Sequence, residues 1–126
     1  MRFGFTVIVM VAALVGAVQR AHADDDANKA QFVTSCGVCH AVERGAPARQ
    51  GPNLLGVYGR KTAAVDGFAY SAALKSADWV WDEDRLNQWI ENAQTMRPGA
   101  IMNYRQADPA KRAKVIAYLK TLSVEK

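Results

Sequence analysis

Cys36-Gly37-Val38-Cys39-His40 is the stretch on which the reading of this 126-residue chain turns. A C-x-x-C-H pentapeptide is the attachment motif of c-type haem, and the spacing has a physical reason. Residues three apart on a helical turn share a face, so both thiols meet one porphyrin edge and can form thioethers with its two vinyl groups. His40, four after Cys36, rides the same turn and aims its imidazole at the iron. Other chemistries use such cysteines. A Cys36–Cys39 disulfide suits a secreted chain. C-G-x-C also occurs in thiol-disulfide oxidoreductases, but those place it after a strand, and no strand-like alternation precedes it here. A zinc site needs a fourth ligand, usually from a second Cys/His pair. No Cys or His follows the motif.

Upstream, Met1-Arg2, the apolar run Phe3 to Val18 and then Ala21-His22-Ala23 have the three parts of a secretory signal. The 16-residue run is short of the roughly 20 that a spanning helix needs. The expectation is a signal over residues 1–23, export to a bacterial periplasm, no stable membrane insertion, and one domain over 24–126. Export agrees with the motif, since haem is attached to it outside the cytoplasm. Half of the residues are hydrophobic and 22% charged, too many charges for a membrane bundle and too many apolar residues for disorder. Loss of Arg2 and Arg20 leaves 14 Lys and Arg against 12 Asp and Glu. So weak and dispersed an excess excludes a nucleic-acid binder.

Asp24-Asp25-Asp26 suits the start of a helix, and Phe32, Cys36 and His40 form one helical stripe from Ala27 to His40. From Ala41 to Phe68 the periodicity is lost among Gly45, Pro47, Gly51-Pro52, Gly56, Gly59 and Gly67. A loop this long is uncommon unless it wraps something. A short helical piece over Ser71 to Ala77 follows. Asp82 caps a helix to about Asn92 with Leu86, Trp89 and Ile90 on one face. Pro98-Gly99 opens another loop, and Asp108-Pro109 starts a last helix to about Leu122 along Val115, Ile116, Leu119 and Leu122. The predicted fold is all-α, three principal helices and long loops. That is a thin core for 103 residues, which leaves room for a large group in the middle.

The second axial ligand follows from the inventory. His40 is the only His after residue 23, so a bis-His haem is excluded, and Met96 and Met102 are the thioether candidates. Met96 lies at the end of a helix face, where Met is more often core filler. Met102 sits in the loop released by Pro98-Gly99 and is favoured. Histidine–methionine ligation fills both axial positions and raises the potential, which suits shuttling electrons. A ligating His also needs an acceptor for its other ring N–H. Pro52 offers a carbonyl.

The chain from about Asn28 to Leu122 resembles the class I cytochromes c, near the mitochondrial and short bacterial periplasmic type. Gly51-Pro52-Asn53-Leu54-Leu55-Gly56-Val57-Tyr58-Gly59-Arg60-Lys61 is similar to that family's G-P-N-L-x-G-x-x-G-R-K loop. Gly67-Phe68-Ala69-Tyr70, Trp81, Pro98-Gly99-Ala100-Ile101-Met102 and Ile116-Ala117-Tyr118-Leu119 fall in its order and spacing. The resemblance implies one covalent haem c with its iron between His40 and Met102, and the Pro52 carbonyl on His40. It also implies Arg60, Tyr70 and Trp81 as donors to the haem propionates. Phe32 and Tyr118 are expected to pack where first and last helices cross.

Departures matter as well. Where the family often has Tyr near the Met sulfur this chain has Trp89, and Leu74 and Ala100 stand where it often has Asn and Thr around a buried water. Three polar groups become one indole and two apolar side chains, so that water is expected to be absent. The family's lysine ring is reduced: Arg49 keeps a charge, while Gln94, Thr95 and Ile101 do not. Lys111, Arg112 and Lys114 form a basic cluster of the kind that is usually a solvated face. The expectation is a non-enzymatic, monomeric one-electron carrier whose partners are redox proteins. A dedicated subunit of a periplasmic dehydrogenase or oxidase complex, or a small haem peroxidase or gas-binding protein, are the alternatives.

Overall fold

A computed structural model describes residues 5–123, with side chains from residue 19 onward. Met1 and Arg2, the basic start of the expected signal, lie outside the described residues. Four helices follow in order: α1 (Phe5–Ser35), α2 (Ala72–Lys75), α3 (Glu83–Met96) and α4 (Pro109–Thr121). The all-α expectation stands. Among the described residues the extended pairing amounts to one isolated antiparallel bridge, Lys61 to Val80.

The helix expected to begin near Ala27 instead continues back to Phe5. The reason is local: no Gly or Pro occurs from Ala17 to Ser35, so nothing breaks the helix at the acidic triplet. Among the described residues no helix is long and apolar enough to cross a membrane. The same helix was expected to reach His40 but ends at Ser35, and the motif continues as turns. Gly37 N donates to both Phe32 O and Val33 O at 3.2 Å, loosening the last turn. A Cβ at Gly37 would lie 2.8 Å from Val33 O, so this exit needs glycine.

The other helices start on their capping side chains. Asp82 accepts from Arg85 N at 2.8 Å, and Asp108 accepts from Ala110 N at 2.8 Å ahead of Pro109. Helix α3 outruns its expected end. It passes Asn92, whose φ of −165° and ψ of 97° are not helical, and makes one more turn to Met96. Helix α1 packs on α4, with the Phe32 and Tyr118 rings 5.0 Å apart, and α3 packs on α4 through Leu86, Ile90, Val115, Ile116 and Leu119.

The long segment between α1 and α2 is held by specific bonds rather than by regular structure. Gly59 N donates to Trp81 O at 2.7 Å, Trp81 N to Arg60 O at 2.9 Å, and Thr62 N to Trp79 O at 2.9 Å. Buried Thr62 adds a hydroxyl bond to Ala77 O at 2.8 Å. This seam places Trp81 in the core, edge-on between Trp79 and Trp89.

Candidate functional site

The motif and the loop that faces it are laced together residue by residue. His40 N donates to Cys36 O at 3.0 Å and Cys39 N to the same carbonyl at 3.1 Å, which closes the turn on which both thiols sit. Gly51 N donates to Cys39 O at 2.8 Å and Leu54 N to Ala41 O at 2.9 Å, so residues 51–54 run alongside the motif. Arg49 donates to Gly37 O from the same side. Asn53 locks the loop internally. Its amide donates to Glu43 O at 2.8 Å, and its carbonyl accepts from Leu55 N at 2.8 Å.

That lacing sets the imidazole. His40 Nδ1 donates to Pro52 O at 2.8 Å, which fixes the tautomer and leaves Nε2 with a free lone pair for a metal. Burial depresses the proton affinity of His40 below its ordinary value, against the Pro52 carbonyl, which acts in the opposite direction. Burial thus favours the neutral ring, the form that binds iron. Gly51 is needed here for space. A Cβ on it would clash with His40 at Cε1, Nδ1 and Nε2. Sequence reading took Gly51 only as a turn residue and part of a loop motif.

Cys36 and Cys39 both carry free thiols. Burial, reinforced by the neighbouring Cys39, pushes the Cys36 thiol up to about 12. Catalytic thiols are shifted the other way, so this site lacks the electrostatics of a thiol-disulfide oxidoreductase. Among the described residues no cluster of three His, Cys, Asp or Glu side chains is placed to hold a metal ion.

Further along the chain, Trp89 Nε1 donates to Met102 Sδ at 3.1 Å. Leu74 and Ala100 are buried in the same core, as is Trp89 itself. Met96, the other thioether, is half-buried at the end of α3 and packs against the core. Gly99, with φ of 90°, makes the turn that releases the Met102 segment from α3.

The three expected propionate donors sit differently from one another. Trp81 is buried, and Tyr70 is half-buried with its hydroxyl accepting from Val65 N at 3.2 Å, which leaves the O–H free to donate. Arg60 donates to Leu55 O at 3.0 Å and Asn53 O at 3.1 Å. It is thus a brace of the loop, with N–H groups left over for a carboxylate. Burial also lowers its pKa from the ordinary value, against the nearby Tyr70.

Two residues were misread from sequence. Arg112, grouped there with a solvated basic face, is only 6% exposed. It donates to Asn87 Oδ1 on α3 at 2.8 Å and to Gln106 O and Ala107 O at 2.8 and 2.9 Å, with Glu91 at 3.6 Å. The signal was available, because Arg112 lies three before Val115 and four before Ile116, on the buried stripe of α4. Gln94, read as a missing charge, donates to two carbonyls of the Met102 segment. Two apolar side chains stand out at the surface: Ile101, between those two carbonyls, is 68% exposed and Val38 in the motif 77%.

The donor set suits a c-type haem. Two thiols share a turn with a neutral, oriented imidazole, and a thioether is held by an indole N–H. Comparison with known proteins agrees. The family model "Cytochrome c" matches residues 26–123. The chain is 39% identical over 98 residues to a "Cytochrome c" of Guizotia abyssinica, covering 77% of this chain and 88% of that protein. It is 40% identical over 100 residues to a "Cytochrome c" of Euglena viridis, covering 79% and 97%. A "Cytochrome c homolog" of Bradyrhizobium diazoefficiens is 43% identical over 90 residues, 70% of this chain and 49% of that protein. The chain therefore belongs to the cytochrome c family and is an electron carrier with covalently bound haem c and its iron.

Proposed function

We propose that the protein is a monomeric, non-enzymatic one-electron carrier of a bacterial periplasm, with haem thioether-linked to Cys36 and Cys39 and axially ligated by His40 and Met102. When bound, the haem supplies the one-electron couple. The chain's own residues do the rest. Pro52 O holds His40 Nδ1, so the imidazole presents one ring nitrogen in one orientation. Trp89 Nε1 holds the Met102 sulfur, and this bond carries the assignment, because it picks out one of two candidate thioethers. Two strong-field protein ligands leave no open position for a substrate, which favours electron transfer over catalysis. Arg60, Tyr70 and Trp81 neutralise or solvate the propionates, which are costly to bury unpaired.

Export is supported by the basic start, the apolar run and the small-x-small site Ala21-His22-Ala23, whose residues are exposed. The test of ligation compares two variants. Met102→Ala should abolish the weak sulfur-to-ferric charge-transfer band and lower the potential, while Met96→Ala should keep both. The reverse pattern would move the ligand to Met96.

A further inference from the structure

Helix α3 is interrupted at Asn92, and the interruption organises the segment that carries Met102. Asn92 Oδ1 accepts from Gln94 N at 3.1 Å and from Thr95 N at 3.2 Å. In an unbroken helix Gln94 N would bond to Ile90 O. That freed carbonyl accepts from Gln106 N at 3.0 Å instead, which ties the far end of the 97–106 loop to α3. At the near end Arg97 donates through Nε to Ala73 O and through a terminal nitrogen to Ser76 Oγ, both at 2.8 Å. Gln94 serves the middle. Its amide nitrogen donates to Ala100 O and, at 3.2 Å, to Met102 O.

The two carbonyls flank Ile101, whose side chain points into water and cannot hold the segment. An amide NH₂ carries two donors, enough for both. Ala100 is buried and Gln94 and Met102 are half-buried, so water is a poor substitute for these bonds. Resting on the reading that Met102 is the second axial ligand, we propose that Gln94 is its positioning residue. Its amide clamps the backbone on both sides of Ile101, so that the sulfur stays where Trp89 meets it. A donor is required, and a carboxylate has no proton to give.

Loss of a clamp is read as access to the iron. An external ligand that competes with Met102 binds with an affinity proportional to the fraction of molecules whose loop is open. The experiment is imidazole titration of the oxidised holoprotein at neutral pH, followed by the shift of the main haem absorption band, which reads binding with or without Met102. Gln94→Leu and Gln94→Glu should each bind imidazole roughly tenfold more tightly than the parent, since each gives up two hydrogen bonds. Phe32→Leu, which loosens the α1–α4 crossing, should lower the denaturation midpoint and leave imidazole affinity unchanged. In a Met102→Ala background, Gln94→Leu should shift the affinity by less than about twofold, because no sulfur remains to be positioned.

Parent-like affinity in both Gln94 variants overturns the proposal, and so does an effect that persists without Met102. A charge-transfer band that survives Met102→Ala overturns the ligand assignment and the proposal together.

Discussion

The indole nitrogen of Trp89 stands 3.1 Å from the sulfur of Met102, thirteen residues further along the chain. With Met102 as the proposed second ligand, a donor on that sulfur would draw electron density from it and so favour the reduced form. Trp89→Phe keeps most of the ring and removes the N–H. A bond worth roughly 1 kcal/mol corresponds to about 40 mV for a one-electron couple, and the potential should fall by that order. An unchanged or higher potential in a redox titration would show that the bond does not act on the couple.

Leu74 and Ala100, in the same core as Trp89, are expected to act in the same direction. Both are buried and apolar, and an apolar surround disfavours the oxidised form, which carries one more positive charge. Leu74→Asn combined with Ala100→Thr restores polar groups that could hold a water. The double variant should titrate roughly 40 mV below the parent. If its potential stays put or rises, the pocket is not what sets it.

Gly51 has no room for a side chain. The Cβ of Gly51→Ala would collide with the imidazole at Cε1, Nδ1 and Nε2, so either His40 swings away from Pro52 or residues 51–54 leave the motif. Overpacking of this kind typically costs about 1–3 kcal/mol. Denaturant unfolding of the holoprotein should show that loss. Within the folded fraction the haem spectrum should depart from six-coordinate low spin. A variant with parental stability and spectrum would mean that the close approach is not needed.

Arg112 should matter more than its neighbours in the basic run. Arg112→Met leaves Asn87 Oδ1 and the Gln106 and Ala107 carbonyls without their donor in a largely dry place. The expected cost is about 3 kcal/mol, against under about 0.5 kcal/mol for exposed Lys111→Ala. Equal denaturation midpoints for the two variants would return Arg112 to the solvated face.

What the sequence made legible is what short-range chemistry dictates. The C-x-x-C-H turn, the Asp82 and Asp108 caps and the break at Pro98-Gly99 are all decided within a few residues. His40 and Pro52 were paired in advance because a ligating imidazole must have an acceptor, and the loop repeats a family pattern. Gly51, Gln94 and Arg112 were missed or misread for a common reason. Their roles depend on partners that only the folded chain brings close: the His40 ring, the carbonyls of Ala100 and Met102, and the α3 side chain of Asn87. The kink at Asn92 is another case. An Asn inside a helical pattern reads as a weak end, whereas here it recaps one more turn and frees Ile90 O for Gln106.

The central claim is that both axial positions are filled by the protein, so that the iron exchanges electrons and binds nothing. Adding carbon monoxide to the reduced holoprotein tests it most directly. A closed His40–Met102 site predicts an absorption spectrum that does not change at neutral pH. A shifted haem band with the signature of a carbon monoxide adduct would contradict the account and point to a gas-binding or peroxidase site.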